Sequence, residues 1–332
     1  MTFHIIEGGV TAAKGFRASG IHCGIRKNRS KADLALIYSD VPCAAAAVYT
    51  QNLVKGAPIA VTKRNIANGM ARAVICNSGN ANTCNADGEE KAQKMCDLIA
   101  AELHIDPSDV IVASTGVIGQ VLPIEPIANS VKTLAEALST TGSNDAAKAI
   151  MTTDTVEKEY ALEVELDGKT ITIGGITKGS GMIHPNMCTM LAFVTTDLAI
   201  SKELLQEALS ANVKDTFNMI SVDGDTSTND TLLLMANGLA GNPEITEKGA
   251  DYDAFCEALN FVNTTLAKMM AGDGEGATAL FEVTVVNAET KEQAQILAKS
   301  VICSSLTKAA IFGHDANWGR ILCAMGYSGA TF

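Results

Sequence analysis

The sequence predicts a mixed α/β fold in which helices cover sheets. Three observations point there. Several stretches of ten or more residues carry apolar side chains at three- and four-residue spacing, the helical period. Others alternate with a period of two or form short apolar runs, as strands do. The two kinds follow one another along the chain, which is the signature of α/β architecture.

The elements follow in order. "RAVIC" (72–76) reads as a short buried strand. Residues 89–104 read as a helix with Ala92, Met95, Ile99 and Leu103 on one face. "DVIVA" (109–113) is a second strand. Ile127, Val131, Leu134 and Leu138 mark one helix after Pro126, a residue suited to a helix start. "YALEVELDGKTITIGGI" alternates strictly around Asp167-Gly168, and Asp-Gly supplies the positive φ that a type I′ hairpin turn needs. "MLAFVTT" (190–196) is a buried strand, and a helix near 201–217 places Leu205, Leu209, Val213 and Phe217 in register. A longer helix spans about 251–270, "LFEVTVV" (280–286) alternates as a strand, and a helix near 290–308 precedes "GHDANWGR".

Composition narrows the function. The chain has 332 residues, of which 47% are hydrophobic, enough for a sizeable core in one large domain or two moderate ones. Net charge is −12, so a nucleic acid is repelled overall. The one basic cluster, Arg26-Lys27-Asn28-Arg29, reads as a solvated turn. Nine cysteines form no CxxC pair and no zinc spacing, which fits reduced, buried thiols and a cytoplasmic setting. No apolar stretch reaches the ~18 residues of a membrane span, and the first residues lack the pattern of a signal peptide. GxGxxG after a strand and GxxxxGK[ST] are both absent. No metal or organic cofactor is expected.

Four stretches carry chemistry. In "TKGSGMIHPNMCTMLAF" (177–193), Cys188–Thr189 stands at the boundary between a glycine-rich loop and a strand. A threonine hydroxyl is a poor nucleophile without a base. A threonine at a new N-terminus carries its own, because an α-amine has a pKa of about 7.7–8.0 and lies beside the hydroxyl. A cut at Cys188–Thr189 would therefore activate Thr189. Attack of the Thr189 hydroxyl on the Cys188 carbonyl, an N-to-O acyl shift and hydrolysis of the ester would make that cut. Read alone, Thr189 fits an ordinary strand threonine better, since β-branched residues are common in apolar strands. His184 reads as a packed or hydrogen-bonded residue. "ASTGVIGQ" (113–120) offers the Thr115 hydroxyl and the Gly116 amide as oxyanion donors. "AGDGEGATALFEV" (271–283) places Asp273 and Glu275 in a glycine-rich loop. "VDGDTSTNDT" (222–231) begins like a calcium loop, but the glycine falls at the second position and Leu234 stands where the glutamate belongs. It reads as a polar, hydrogen-bonded turn.

Eight stretches, in order, resemble one family. They are "GGVTAAKGFRASGI" (8–21), "NSGNANTC" (77–84), "ASTGVIGQ", "MTTDT" (151–155), "KGSGMIHPNMCTML" (178–191), "VDGDTSTND", "DGEGAT" (273–278) and "NWGRILCAMGYSG" (317–329). The family is the glutamate N-acetyltransferase/ornithine acetyltransferase family of arginine biosynthesis. The resemblance implies a self-cleaving N-terminal-nucleophile α/β sandwich with a second, smaller α/β lobe. It implies cleavage between Cys188 and Thr189, giving an N-terminal chain 1–188 and a C-terminal chain 189–332 that assemble as a heterotetramer of two copies of each. It puts oxyanion donors at Thr115 and Gly116 and substrate-pocket residues at Thr155, Lys178, Thr189 and Glu275. The implied reaction moves acetyl from N2-acetylornithine to glutamate through an acyl-threonine, and acetyl-CoA as a further donor is left open. The sequence departs from the family in two ways: Cys188 stands where alanine is usual, and the chain stops at Phe332, short of the family's C-terminal segment and the Asn and Ser/Thr that it gives to the pocket. Two other readings stand beside this one, an N-terminal-threonine aminopeptidase or amidase and an inactive remnant.

Overall fold

In the computed structural model, which describes residues 2–184 and 190–332, one mixed sheet runs through the molecule. Its strands are β1 (His4–Ile6), β2 (Phe16–Ile21), β3 (Leu34–Tyr49), β4 (Met70–Asn77), β5 (Val110–Ser114), β6 (Lys158–Leu166), β7 (Lys169–Lys178), β8 (Leu191–Thr196) and β9 (Thr231–Ala236). The order is β1-β6-β7-β8-β9-β3-β4-β5, with β2 beside β3. The helices are α1 (Ala57–Asn65), α2 (Gly88–Leu103), α3 (Ile124–Ala128), α4 (Val131–Glu136), α5 (Ser143–Ile150), α6 (Lys202–Asp215), α7 (Ala250–Gly272), α8 (Lys291–Cys303), α9 (Ser305–Phe312) and α10 (Trp318–Gly326). The cleavage pair Cys188–Thr189 lies outside the described residues.

The sheet is continuous because β3 is long enough to serve two neighbourhoods. Its first half pairs with β2 and β4, and after a register shift between Tyr38 and Cys43 its second half pairs with β9. Side-chain alternation then sorts residues between faces. Leu34, Leu36 and Tyr38 pack with Ile75, Val112 and Ile99 under α2, while Ala35 and Ile37 join Phe193, Leu233 and the alanines of α5 on the opposite face. At the other end, β6 to β9 bury Leu162, Ile173, Ala192 and Leu232 beneath Leu209 of α6 and Phe255, Leu259 and Leu266 of α7. Helix α5 approaches β2 closely because Gly20 has no side chain; a Cβ there would meet the Asp145 carbonyl oxygen at 2.0 Å. The mixed α/β architecture is the one expected, drawn as one shared sheet rather than several.

Most elements match their sequence patterns. The β6–β7 hairpin turns at Asp167 (φ 46°) and Gly168 (φ 69°), the two positive values of a type I′ turn. Ser201 accepts from Leu204 N and caps α6. Three expectations fail. The helix expected after Pro126 is two short helices: α3 starts at Ile124 and carries Pro126 in its first turn, and Ser130 N donates to Ile127 O in a tightened turn that separates it from α4. Ile127, Val131 and Leu134 are nevertheless all buried. The helix over 290–308 bends by 59° at Ser304, whose hydroxyl caps α9 by accepting from Thr307 N. Residues 280–286 form no strand. Phe281, Val283 and Val285 face inward in alternation, but no neighbouring strand pairs with this segment among the described residues, and a period of two builds a ladder only where a partner edge exists.

Candidate active site

The site forms where β4, β5 and β7 end and β8 and β9 begin. The parallel pair β4–β5 brings Asn77 beside Ser114, and the antiparallel pair β7–β8 sets Lys178 opposite Leu191. The parallel pair β8–β9 aligns Leu191 with Thr231, and Thr231 N donates to the Met190 carbonyl at 2.9 Å. Loops leaving these strand ends enclose a cavity of about 670 Å³, lined among others by Arg26, Thr115, Gly116, Lys178, Asp230 and Glu275. Met190, the residue after Thr189, lines it as well.

Two asparagines assemble the wall that carries Thr115 and Gly116. Asn77 donates from Nδ2 to Ser114 Oγ (2.7 Å) and accepts from Asn80 N (3.0 Å) and Gly79 N (3.3 Å) at Oδ1. Asn229 donates from Nδ2 to Ala81 O (2.5 Å) and Ser114 O (2.9 Å) and accepts from the Thr83 hydroxyl (2.6 Å). These bonds join the 77–84, 113–120 and 222–230 stretches into one wall. Thr115 N donates to Asn77 O at 2.9 Å, so the hydroxyl is the donor Thr115 has left for a ligand. Gly116 N–H has no hydrogen-bond partner among the described residues. Gly116 adopts φ +125°, and a Cβ would meet Gly79 C at 2.7 Å and Asn80 N at 2.8 Å. Only glycine fits there.

Lys178 is 7% exposed, and its ammonium donates to Thr152 Oγ1 (2.6 Å) and, at 3.5 Å, to Thr115 Oγ1. Burial pushes its pKa below the ordinary 10.5, with Asp154 and Asp230 opposing from a distance. Asp230 is 1% exposed, and its Oδ2 has no hydrogen-bond partner. Burial raises its pKa well above the usual 3.8 against the pull of Ser227 and Lys178.

Thr155 stands outside the cavity lining, where Thr152 and Thr153 of the same stretch are found. Its hydroxyl and its N–H (3.0 Å) both go to the Asp273 carboxylate. Asp273 also accepts from the fully buried Lys158 ammonium at 2.6 Å, and Lys158 donates further to Asp154 Oδ1 (2.8 Å) and Val156 O (3.2 Å). Asp154 in turn accepts from Gly179 N at 2.7 Å. Ser180 Oγ donates to Asp273 O (2.7 Å), and Glu275 N donates to Ser180 O (3.1 Å). One network thereby ties Thr155, the Lys178 strand end and Glu275 together.

The acidic turn holds the approach to the Cys188–Thr189 pair. Asp223 accepts from Met182 N (2.6 Å), Ile183 N (2.9 Å) and Asp225 N (3.0 Å), so its oxygens face amides. No cluster of metal-ligating side chains occurs among the described residues. His184 Nδ1 lies 3.0 Å from Ser221 Oγ, the hydrogen-bonded setting expected, and burial lowers its pKa. Arg26 departs from the solvated turn expected of its cluster. Lys27, Asn28 and Arg29 are exposed, but Arg26 is half-buried against the cavity. Sequence reasoning also passed over Asn77, Asp154, Lys158 and Asp230; Lys158 opens a strand and carries no local signal of its burial.

Comparison with known proteins gives three findings. The ArgJ family matches residues 17–332. The arginine biosynthesis bifunctional protein ArgJ of Caldanaerobacter subterraneus is 51% identical over 329 residues, which cover 99% of this chain and 81% of that protein. Two crystal structures superpose with a TM-score of 0.52 each, the ArgJ protein of Bacillus halodurans (44% identity) and the ornithine acetyltransferase complexed with ornithine of Mycobacterium tuberculosis (38% identity). Each covers 56% of this chain, with 100% and 99% of the solved chain matched.

Proposed function

Because the chain belongs to the ArgJ family, we propose that it is a glutamate N-acetyltransferase of arginine biosynthesis that works through an acyl-threonine at Thr189. The convergence of Thr115, Gly116 and Lys178 on one cavity, at the start of the strand that follows Thr189, carries this reading.

Self-cleavage between Cys188 and Thr189 frees the Thr189 amine and yields chains 1–188 and 189–332. The solved chains of relatives are matched nearly end to end by 56% of this chain, close to the share that precedes Thr189, which supports the cut. The amine takes the proton of the Thr189 hydroxyl, and the oxygen attacks the acetyl carbonyl of N2-acetylornithine. The Thr115 hydroxyl and Gly116 N–H donate to the tetrahedral oxyanion. The C–N bond breaks, ornithine's nitrogen takes the proton back, and the acetyl group stays on Thr189. Glutamate's amine then attacks the ester carbonyl, the C–O bond to Thr189 breaks, the amine's proton passes through the Thr189 α-amine to the hydroxyl oxygen, and N-acetylglutamate leaves. Lys178 supplies the cationic partner for the α-carboxylate of either amino acid. Thr155 and Glu275 complete the substrate pocket, Thr155 through the Asp273 network. The protein assembles as a heterotetramer of two copies of each chain and works in the cytoplasm. Acetyl-CoA serves as a second donor, and no metal or organic cofactor takes part.

Thr189→Ala tests the core of this. It should run as one uncut chain on a denaturing gel and transfer no acetyl between acetylornithine and glutamate. A mutant that is cut normally would refute the assignment.

A further inference from the structure

The cavity holds two cations whose hydrogen bonds all go to neutral oxygens. Arg26 donates from Nε (3.1 Å) and Nη2 (2.6 Å) to Ser78 O and from Nη2 to Met151 O, and Nη1 has no hydrogen-bond partner among the described residues. Lys178 bonds only the hydroxyls of Thr152 and Thr115. The two cations thus hold adjacent residues of one loop, Met151 and Thr152, and flank the oxyanion donors. Gly116 on the same wall packs against Gly79, next to Ser78. Asp33 and Asp154 act on Arg26 through space but do not hydrogen bond its guanidinium. A cation whose hydrogen bonds reach only neutral oxygens is costly to withdraw from water, and two of them lining one cavity suit an anionic ligand with two negative groups.

The proposed reaction sharpens the point. One cavity must take a donor with a cationic side chain and an acceptor with an anionic one. Glu275 lines the cavity and suits the first. With Lys178 on the α-carboxylate, the second carboxylate of the acceptor needs its own cation. Building on the proposed function, we infer that Arg26 is the specificity-determining residue for the side-chain carboxylate of the dicarboxylic amino acid, as Lys178 is for its α-carboxylate. Arg26 selects glutamate over neutral isosteres and contributes little to binding of the ornithine donor.

Equilibrium binding tests this without relying on turnover. N-acetylglutamate, N-acetylglutamine and N2-acetylornithine are titrated calorimetrically into the full-chain protein, into Arg26→Met and into Arg26→Lys. The expected result is a ten-fold or greater loss of the preference for N-acetylglutamate over N-acetylglutamine in R26M. Acetylornithine affinity should stay within about three-fold, and R26K should restore part of the preference; a charge-assisted hydrogen bond is worth about ten-fold or more. An unchanged preference, or equal weakening of all three ligands, would overturn the assignment. Acetyl transfer by the wild-type protein is measured in parallel. Its failure would sink the transferase reading, while the binding preference would still decide the role of Arg26.

Discussion

Gly116 shows how much a single position constrains. Its positive φ and its contact with the backbone of Gly79 and Asn80 leave no room for a side chain. Gly116→Ala must move one of those backbones and with it the Gly116 N–H, the proposed oxyanion donor. Loss of one such donor costs about 10²–10³-fold in turnover. We expect a fall of that size in acetyl transfer, with the affinity for acetylornithine retained; unaltered turnover would remove Gly116 from the oxyanion role. The motif around Gly116 was legible in the sequence because a Thr-Gly pair after a strand is a recognisable donor pattern. Asn229 was visible only as part of a polar turn. Its three bonds to two other stretches, at Thr83, Ala81 and Ser114, exist only after the chain has folded.

Among elements, the end of α7 and the start of β6 meet through Lys158 and Asp273, 115 residues apart in sequence. Burial opposes ionisation of both carboxylates, but Lys178 and Lys158 outweigh it at Asp154, and Lys158 with Thr155 does so at Asp273. Both are held below the ordinary 3.8. Carboxylates depressed in the fold add stability that is complete above their unfolded pKa and is lost as pH falls through the folded value. Lys158→Met removes the ammonium that Asp154 and Asp273 share and leaves Asp154 to Lys178 and backbone amides and Asp273 to Thr155, at a cost of up to about 3 kcal/mol. The stability gap between wild type and K158M in urea should be widest at neutral pH and narrow below about pH 4, where the carboxylates take up protons. A gap independent of pH would show that packing of the lysine stem, and not its charge, matters. Residues 280–286 teach the complementary lesson: their alternation reads as a strand, yet no strand forms there, because a strand also needs a neighbour.

The whole molecule is one sheet drawn from both sides of the Cys188–Thr189 bond. β7 precedes that bond and β8 follows it, yet they pair from Ile173↔Thr196 to Lys178↔Leu191. β3 and β9 pair across it too, from Ala44↔Ala236 to Tyr49↔Thr231. Cutting the bond therefore removes no ladder among these strands. We expect the two proposed chains to elute together in size-exclusion chromatography at neutral pH and to part only in denaturant. Separation in native buffer would contradict a shared sheet.

The sequence by itself determined the α/β class, the hairpin at Asp167-Gly168, the principal helices and the family motifs, since these rest on local period, turn chemistry and residue order. Tertiary structure alone decided which motifs share a wall, that Thr155 turns to Asp273 while Thr152 meets Lys178, and that Arg26 leaves its basic cluster for the cavity. The physical reason is range. Period and turn preference act over a few residues, whereas burial and pairing of a charge depend on strands that the sheet brings together from more than a hundred residues apart.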